Sequence, residues 1–476
     1  MKNFKLFTMT VVLVMLLGLL VGCGGKETPS SESNGGSTSA KVYTEFPNGF
    51  QAEKIGAIEK ESITIAKGGL IYRDENGLYG ILSLDGKKDT GAKYTQCKEA
   101  GSFFAVMTAE ESTLSVDNAS SLNCVGVVDV NGKELVPFKY AAVSEIDDRY
   151  LQVTEVTEQT TNKDEALVYY TDSMFSFSAQ EGDILYKGKW YVYDSVSGKM
   201  LDGVSGTNRY RVDGCGDFVE YVTDAKEQVL VNTKGEPVPE DAELMNNGYY
   251  VVETENGGIV YDSSNAKMFE YNEETDYELD GTEEGYFVAE KSETDTYVLL
   301  DKNGKAVSAE FSDYPDVYGE LLRVEDKIYN FKGEQVIEGT YESVYMDERT
   351  ENAWFLVNGD DYTLIKKDGT VLYQGTDGGD ITIDRYDFAI KKKDGTKTLY
   401  YNFATKEFDL DAVNVDGQWF VKVEQAEGTA YDLMDTISGK AVISGYERYS
   451  FYEEPGLAVY VYAEKDEGGF DVYTVR

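Results

Sequence analysis

Asp129-Val130-Asn131-Gly132-Lys133 reads as a tight reversal between two strands. The leading Asp or Asn side chain closes an Asx turn on its own backbone, and glycine accepts the positive φ that the reversal needs. The same chemistry returns as Asn232-Thr233-Lys234-Gly235-Glu236, Asp301-Lys302-Asn303-Gly304-Lys305 and Asn330-Phe331-Lys332-Gly333-Glu334. Longer versions are Asp194-Ser195-Val196-Ser197-Gly198-Lys199 and Asp435-Thr436-Ile437-Ser438-Gly439-Lys440. Weaker copies surround Gly86, Asn265, Gly369 and Thr405, which makes about ten hairpin units in a repeat array.

Working outward from the turns, most are preceded by a further strand-like run. Examples are Gly248-Tyr249-Tyr250-Val251-Val252-Glu253, Gly285-Tyr286-Phe287-Val288-Ala289-Glu290, Ala353-Trp354-Phe355-Leu356-Val357 and Gln418-Trp419-Phe420-Val421-Lys422-Val423. Each unit thus supplies three or four short strands. The excess of tyrosine, 37 against 3 tryptophans and 7 prolines, suits pleated, half-buried strands. A single core stops growing near ~250–300 residues, and a repeat array lets this longer chain avoid that limit. The expected fold over residues 43–476 is all-β: a β-propeller or propeller-like array of repeated β-hairpins, because closure removes exposed strand edges. An open β-solenoid is the alternative. The segment Tyr43 to Ile65 is expected to supply the strand that closes the ring against Gly469 to Val475. Spacing between turn glycines is uneven, shortest from Gly304 to Gly333 and longest from Gly132 to Gly198, so the number of blades stays open.

Two resemblances follow from these residues. Tyr79-Gly80-Ile81-Leu82 with Asp85-Gly86-Lys87, and Val125-Gly126-Val127-Val128-Asp129 running through Gly132-Lys133 to Val136-Pro137-Phe138-Lys139-Tyr140, resemble the WG repeats of bacterial surface proteins. Tyr79 and Val125 stand where that family has tryptophan, and the likeness covers roughly residues 65–145. Trp190-Tyr191-Val192-Tyr193-Asp194 leading to Gly198-Lys199 resembles a blade of the quinoprotein-like propellers. Both imply repeated β-hairpins and neither implies a particular activity.

The N-terminus has the order of an export signal: Lys2 and Lys5, an apolar run from Phe7 to Leu20, then the small Gly22. That run is short for a membrane span, which needs about 20 apolar residues. Leu20-Val21-Gly22-Cys23 resembles the lipobox of bacterial lipoproteins. The resemblance implies removal of a helical signal peptide, residues 1–22, and a diacylglycerol thioether on Cys23, whose acyl chains would hold the protein stably at the membrane. Residues 23–42 then comprise the lipidated cysteine and a Gly/Ser tether. Gly24 to Ala40 lacks the apolar content needed to fold, and as a flexible coil it spans about 20–25 Å. The expected location is the extracytoplasmic face of the cell membrane.

Composition excludes several functions. The net charge of −43 opposes nucleic acid binding, which depends on basic side chains displacing counterions. It also argues against anionic lipid or wall polymers as direct partners. The chain has no histidine, which removes Ser-His-Asp and Cys-His catalysis and histidine-ligated metals. Cys97, Cys124 and Cys215 have no C-x-x-C spacing, so no cysteine metal site is expected, and a Cys97–Cys124 bridge stays open alongside inert thiols. No Asp or Asn run has calcium-loop spacing. No metal, cofactor or catalytic residue is expected.

The widest interval between turns contains Glu155 to Asp183, where aromatic residues stand among polar ones. In a repeat protein an insertion becomes a loop on one face, often the binding face. Tyr169, Tyr170, Phe175, Phe177 and the nearby Trp190 are the candidate ligand-binding residues; the plainer reading is an extra hairpin. The recurrent Tyr249, Tyr286, Trp354 and Trp419 are read as core between repeats. The expected function is non-enzymatic: a lipid-anchored binding or scaffold protein recognising a protein, peptide or glycan. The alternative is a histidine-free, carboxylate-dependent glycosidase or lyase on a propeller frame.

Overall fold

The computed structural model describes residues 46–476 except 109–113, 116, 148, 164, 171–183, 209–211, 246, 273–276, 283, 292–293, 348–351, 416, 427–429 and 453–458. Among the described residues are 42 strands and one short 3-10 turn, Ala119–Leu122. The strands form eleven antiparallel sheets that follow one another along the chain. The second sheet shows the plan: Gln96–Ala100, Phe103–Met107, Val125–Val128 and Glu134–Tyr140 pair in order. In such a sheet the 1–2 and 3–4 connections emerge on one face of the array, called here the turn face. The 2–3 connections and the links to the next blade emerge on the opposite face.

Second and third strands are buried on both sides because each blade lies between two others. This is why Phe103–Met107 and Val125–Val128 are continuous apolar runs rather than alternating ones. Apolar clusters join neighbouring blades around the whole array. Tyr94, Phe104 and Val128 tie blade 1 to blade 2, Phe218 and Tyr250 tie blade 4 to blade 5, and Val421 with Tyr400 ties blade 10 to blade 9.

The ring closes. Strand Ala52–Ile58 is the fourth strand of blade 11, pairing antiparallel with Phe470–Val475 from Ala52↔Val475 to Ile58↔Phe470. Ile58, Tyr462 and Val472 of blade 11 pack with Leu70, Tyr72 and Leu82 of blade 1, and the Tyr462 hydroxyl donates to the Leu84 carbonyl at 2.9 Å. The expected closing strand is therefore present. The fold is an eleven-bladed β-propeller and not an open solenoid.

The turns account for the count of ten against eleven. In the Asp129 turn, Oδ1 accepts the N–H groups of Asn131 and Lys133 at 2.8 and 2.9 Å, while the Gly132 N–H donates to the Asp129 carbonyl. Asn232, Asp262, Asp301 and Asn330 repeat this at 2.8–3.0 Å. Each of the ten turns joins the third and fourth strands of blades 1–10. Blade 11 has none, because its fourth strand comes from the other end of the chain. Eight turns place glycine at φ 67–80°, and Asn265 and Lys406 hold φ 64° and 60°.

The N-terminal segment lies on the turn face. Phe50 N–H donates to Asp435 Oδ2 at 2.8 Å, inside the 3–4 turn of blade 10. The Phe46 ring lies edge-on to Trp419 at 5.6 Å and beneath the Lys366 ammonium at 5.0 Å. Trp419 is fully buried at φ 67°, a backbone conformation that costs a bulky residue about 1–2 kcal/mol. Its Nε1 donates to Asp347 Oδ2 at 3.0 Å and its ring meets Phe388 and Phe403, contacts that hold it there.

A second tie on this face crosses three blades. Arg149 donates to Asp194 from Nε at 2.9 Å and Nη2 at 3.1 Å, and to Asp217 from Nη1; Ser263 Oγ donates to the far oxygen of Asp217 at 2.7 Å. Burial pushes the Asp194 carboxyl up, but the Arg149 hydrogen bonds outweigh it and hold the carboxyl below the usual carboxylate range. Such a group stabilises fully above its unfolded pKa, near 4, and loses that stabilisation as pH falls through the folded value.

Two outcomes are expected in thermal and urea unfolding. Lys406→Gly should stabilise by about 1 kcal/mol by relieving the positive φ, and Gly132→Ala should destabilise by a similar amount. Arg149→Ala leaves a buried carboxylate unpaired and should cost about 3 kcal/mol at neutral pH. Its deficit relative to the parent should shrink as pH falls towards 4 and below.

Candidate binding lobe

Second strands in the other blades run 4–6 residues. In blade 3 the second and third strands, Tyr150–Thr160 and Ile184–Asp194, each have 11. They stay paired from Tyr150↔Asp194 to Thr160↔Leu185, with a bulge between Val156 and Glu158. Beyond the blade a further strand, Val168–Tyr170, pairs with Ile184–Tyr186. The insertion thus forms the extra hairpin of the plainer reading, carried on rigid strands. It is a 2–3 connection and projects from the face opposite the turns.

Blade 2 also has a long 2–3 connection, between Phe103–Met107 and Val125–Val128, containing the 3-10 turn. The two connections share a core. Ala119 and Leu122 pack with Val156, Leu167, Val168 and Tyr186, continuous with Trp190. Polar groups lock them together: Asn123 Nδ2 donates to the Val156 carbonyl at 2.8 Å, and the Val156 N–H donates to Asn123 Oδ1 at 3.0 Å. Asn123 therefore satisfies the peptide exposed by the bulge. Opposite the bulge, a Cβ on Gly188 would lie 1.8 Å from the Glu155 carbonyl oxygen, so only glycine fits there.

The candidate residues fall in different places. Tyr169 and Tyr170 lie in the added strand, opposite Leu185 and Ile184. Phe175, Phe177 and Cys23 lie outside the described residues. Trp190 has no exposed surface: its Nε1 donates to the Asn208 carbonyl at 2.8 Å and its ring meets Tyr221 edge-on at 5.8 Å, joining blade 3 to blade 4. Trp354 and Trp419 are likewise core, while Tyr249 and Tyr286 pack half-buried on Phe287 and Phe331.

Sequence reading missed the blade 2 half of the lobe. The interval between Met107 and Val125 is the available signal, hidden because it falls between two turn glycines, Gly86 and Gly132, whose spacing is not itself unusual. It also missed a turn-face group in which the Arg385 guanidinium lies over Tyr345 at 4.5 Å and Tyr386 at 5.0 Å, with Tyr386 66% exposed.

The thiols are quiet. Cys97, Cys124 and Cys215 form no disulfide, and burial pushes Cys97 up to about 12 and Cys124 up to about 11, far from the thiolate that a nucleophile or ligand requires. Among the described residues no group of three or more acidic or cysteine side chains is placed to hold a metal ion. A cleft of about 380 Å³ between the first strands of blades 5 and 6 contains Glu243, Glu253, Glu278 and Asp280. Among the described residues no helix is long and apolar enough to cross a membrane.

The class these features define is a closed β-propeller with one built-out lobe. No family model matches the chain, and no curated protein matches it. Among solved structures it is similar to BamB from Moraxella catarrhalis, at 10% identity and a TM-score of 0.21, over 89% of this chain and 97% of that one. It is also similar to the computationally designed Ika8 protein, at 10% identity and a TM-score of 0.18, over 67% of this chain and 97% of that one. The propeller assignment rests on the strand order and closure described above.

Asn123→Ala should leave the bulge peptide unpaired at a cost of about 1–3 kcal/mol. The expected result is faster protease cleavage within residues 155–186 with the unfolding midpoint of the ring little changed.

Proposed function

We propose that this chain is a lipid-anchored, extracytoplasmic binding or scaffold protein, attached to the cell membrane through Cys23. In this reading it recognises a protein, peptide or glycan through the lobe of blades 2 and 3 and catalyses no reaction. The observation that carries the reading is that two neighbouring blades extend the same kind of connection on the same face and merge them into one core. An insertion kept only as a spacer gains nothing from a shared core, whereas a recognition surface gains rigidity and so loses less entropy on binding. The lipobox-like Leu20-Val21-Gly22-Cys23 and the absence of histidine support the anchoring and the lack of catalysis.

The test is affinity capture from the native cell surface with the tagged full chain, beside a variant whose residues 161–183 are replaced by an Asn-Gly turn. A partner retained by the parent and lost by the variant, with unchanged unfolding, supports the reading. Equal capture by both, or turnover of a glycan panel by the purified protein, overturns it. Cys23→Ser should release the protein from the membrane fraction; if it stays, the anchoring part fails.

A further inference from the structure

Tyr386 stands in the 1–2 connection of blade 9, on the turn face, and has the most exposed aromatic side chain among the described residues, at 66%. Its ring is exposed but its backbone is held still. Asp384 Oδ1 accepts the N–H groups of Tyr386 and Asp387, each at 3.2 Å, and Gln418 Nε2, reaching over from blade 10, donates to the Tyr386 carbonyl at 2.9 Å. The Asp387 carbonyl accepts the Trp419 N–H at 3.1 Å. Phe388, fully buried, packs its ring against Phe355 of blade 8 at 5.1 Å and Trp419 of blade 10 at 5.0 Å. A tyrosine kept only for solubility gains nothing from a connection pinned to the blades on both sides.

Arg385 supplies the polar part. Arg149, Arg323 and Arg448 each reach a carboxylate, but among the described residues no carboxylate is paired with Arg385. Its guanidinium lies instead over two rings, Tyr345 at 4.5 Å and Tyr386 at 5.0 Å, which stand at 75° to each other with centroids 5.9 Å apart. A guanidinium carries several N–H donors, and protein groups take at most two of them here, at the Tyr386 hydroxyl 3.3 Å away and at Tyr362. Stacking on aromatic faces fixes the plane of the fork without using its edge. The corner thus combines a largely exposed ring, a hydroxyl and unspent donors on a rigid frame.

Charge narrows what fits. The guanidinium opposes a cation at short range. Asp384 and Asp387 flank it in the chain, and burial, together with the Asp384 charge, pushes the Asp387 carboxyl above the usual carboxylate range, so a further negative charge is costly here. A neutral ligand remains, and it must match an apolar face and a hydrogen-bonding rim at once. A pyranose with equatorial hydroxyls does so: its axial C–H bonds form an apolar face, and its oxygens lie around the edge. We infer that Tyr386 and Arg385 form a subsite for an uncharged pyranose unit of a glycan, with the sugar face on the Tyr386 ring and its hydroxyls accepting from Arg385. Tyrosine supplies such contact area at low entropy cost, having few side-chain torsions. The subsite lies on the face opposite the lobe and requires neither the lobe nor the anchor.

The test is isothermal titration of the full chain with cellohexaose and with chitohexaose, uncharged oligomers whose ring substituents are equatorial, beside hexagalacturonate and hexalysine as charged counterparts. At least one neutral oligomer should bind, and more tightly than either charged one. Tyr386→Ala should weaken that binding by about ten-fold or more, as truncation of an anchoring aromatic does. Arg385→Ala should weaken it by about three- to ten-fold through its lost hydrogen bonds. Unfolding midpoints show whether each variant keeps its fold. A reading on the parent needs no substitution: the bound oligomer should slow nitration of Tyr386 by tetranitromethane, followed by peptide mass. Binding lost in Tyr386→Ala with the midpoint unchanged, or Tyr386 protected in the parent, upholds the subsite. No binding of either neutral oligomer, tighter binding of a charged one, or equal binding by parent and Tyr386→Ala with Tyr386 unprotected overturns it.

Discussion

The structure depends on one antiparallel pairing, between Ala52–Ile58 and Phe470–Val475. Ten blades are closed covalently by their own hairpins, and the eleventh is closed only by hydrogen bonds between chain segments more than four hundred residues apart. A repeat array stacks any number of units without preference, but a ring must meet itself. The two ends accomplish this by sharing a blade, and Lys54 and Tyr446 reinforce the join through Asp471. Burial pushes that carboxyl up, and these two donors outweigh it and hold it below the usual range. The arrangement covers the edge of Phe470–Val475 that would otherwise be bare, the hazard that long β chains carry.

The sequence made the elements legible because their chemistry is local. An Asp or Asn with a glycine three or four residues on marks six of the ten turns, and two more, led by Ser83 and Lys366, keep the glycine. The two turns without glycine are among the four weaker copies: Asn265 tolerates a left-handed backbone through its short polar side chain, whereas Lys406 occupies it because Asn402 and the neighbouring blade over-determine the turn. Blade number was not legible, since a blade made from both ends of the chain has no turn to count. Nor was the role of Trp190, whose sequence context beside an aromatic insertion is the same whether it faces solvent or fills the seam against Tyr221. The partnership of Asn123 with Val156 depends on two insertions being neighbours in space, which no local pattern encodes.

Charge teaches a related lesson. A single number for net charge answers how a molecule behaves at distances beyond the screening length, and it is silent about contact. Here the hairpin chemistry that builds the fold also decides which charges stand side by side on the turn face, lysine and acid alike, as Lys133 beside Glu134, because each turn places the residues flanking its glycine on the same side of the ring. Fold and surface potential thus have a common local origin.

The clamp around Phe46 and Phe50 has a mechanical consequence. Any pull on the chain before Phe46 meets the Trp419 aromatic seat and the Asp435 hydrogen bond first, and only after these yield does it reach the strand that completes the ring. That strand would then be loaded along its length, so its ladder must shear as a set and cannot be unzipped rung by rung. The seat acts as a strain relief, sparing the most vulnerable joint from tension on the leash.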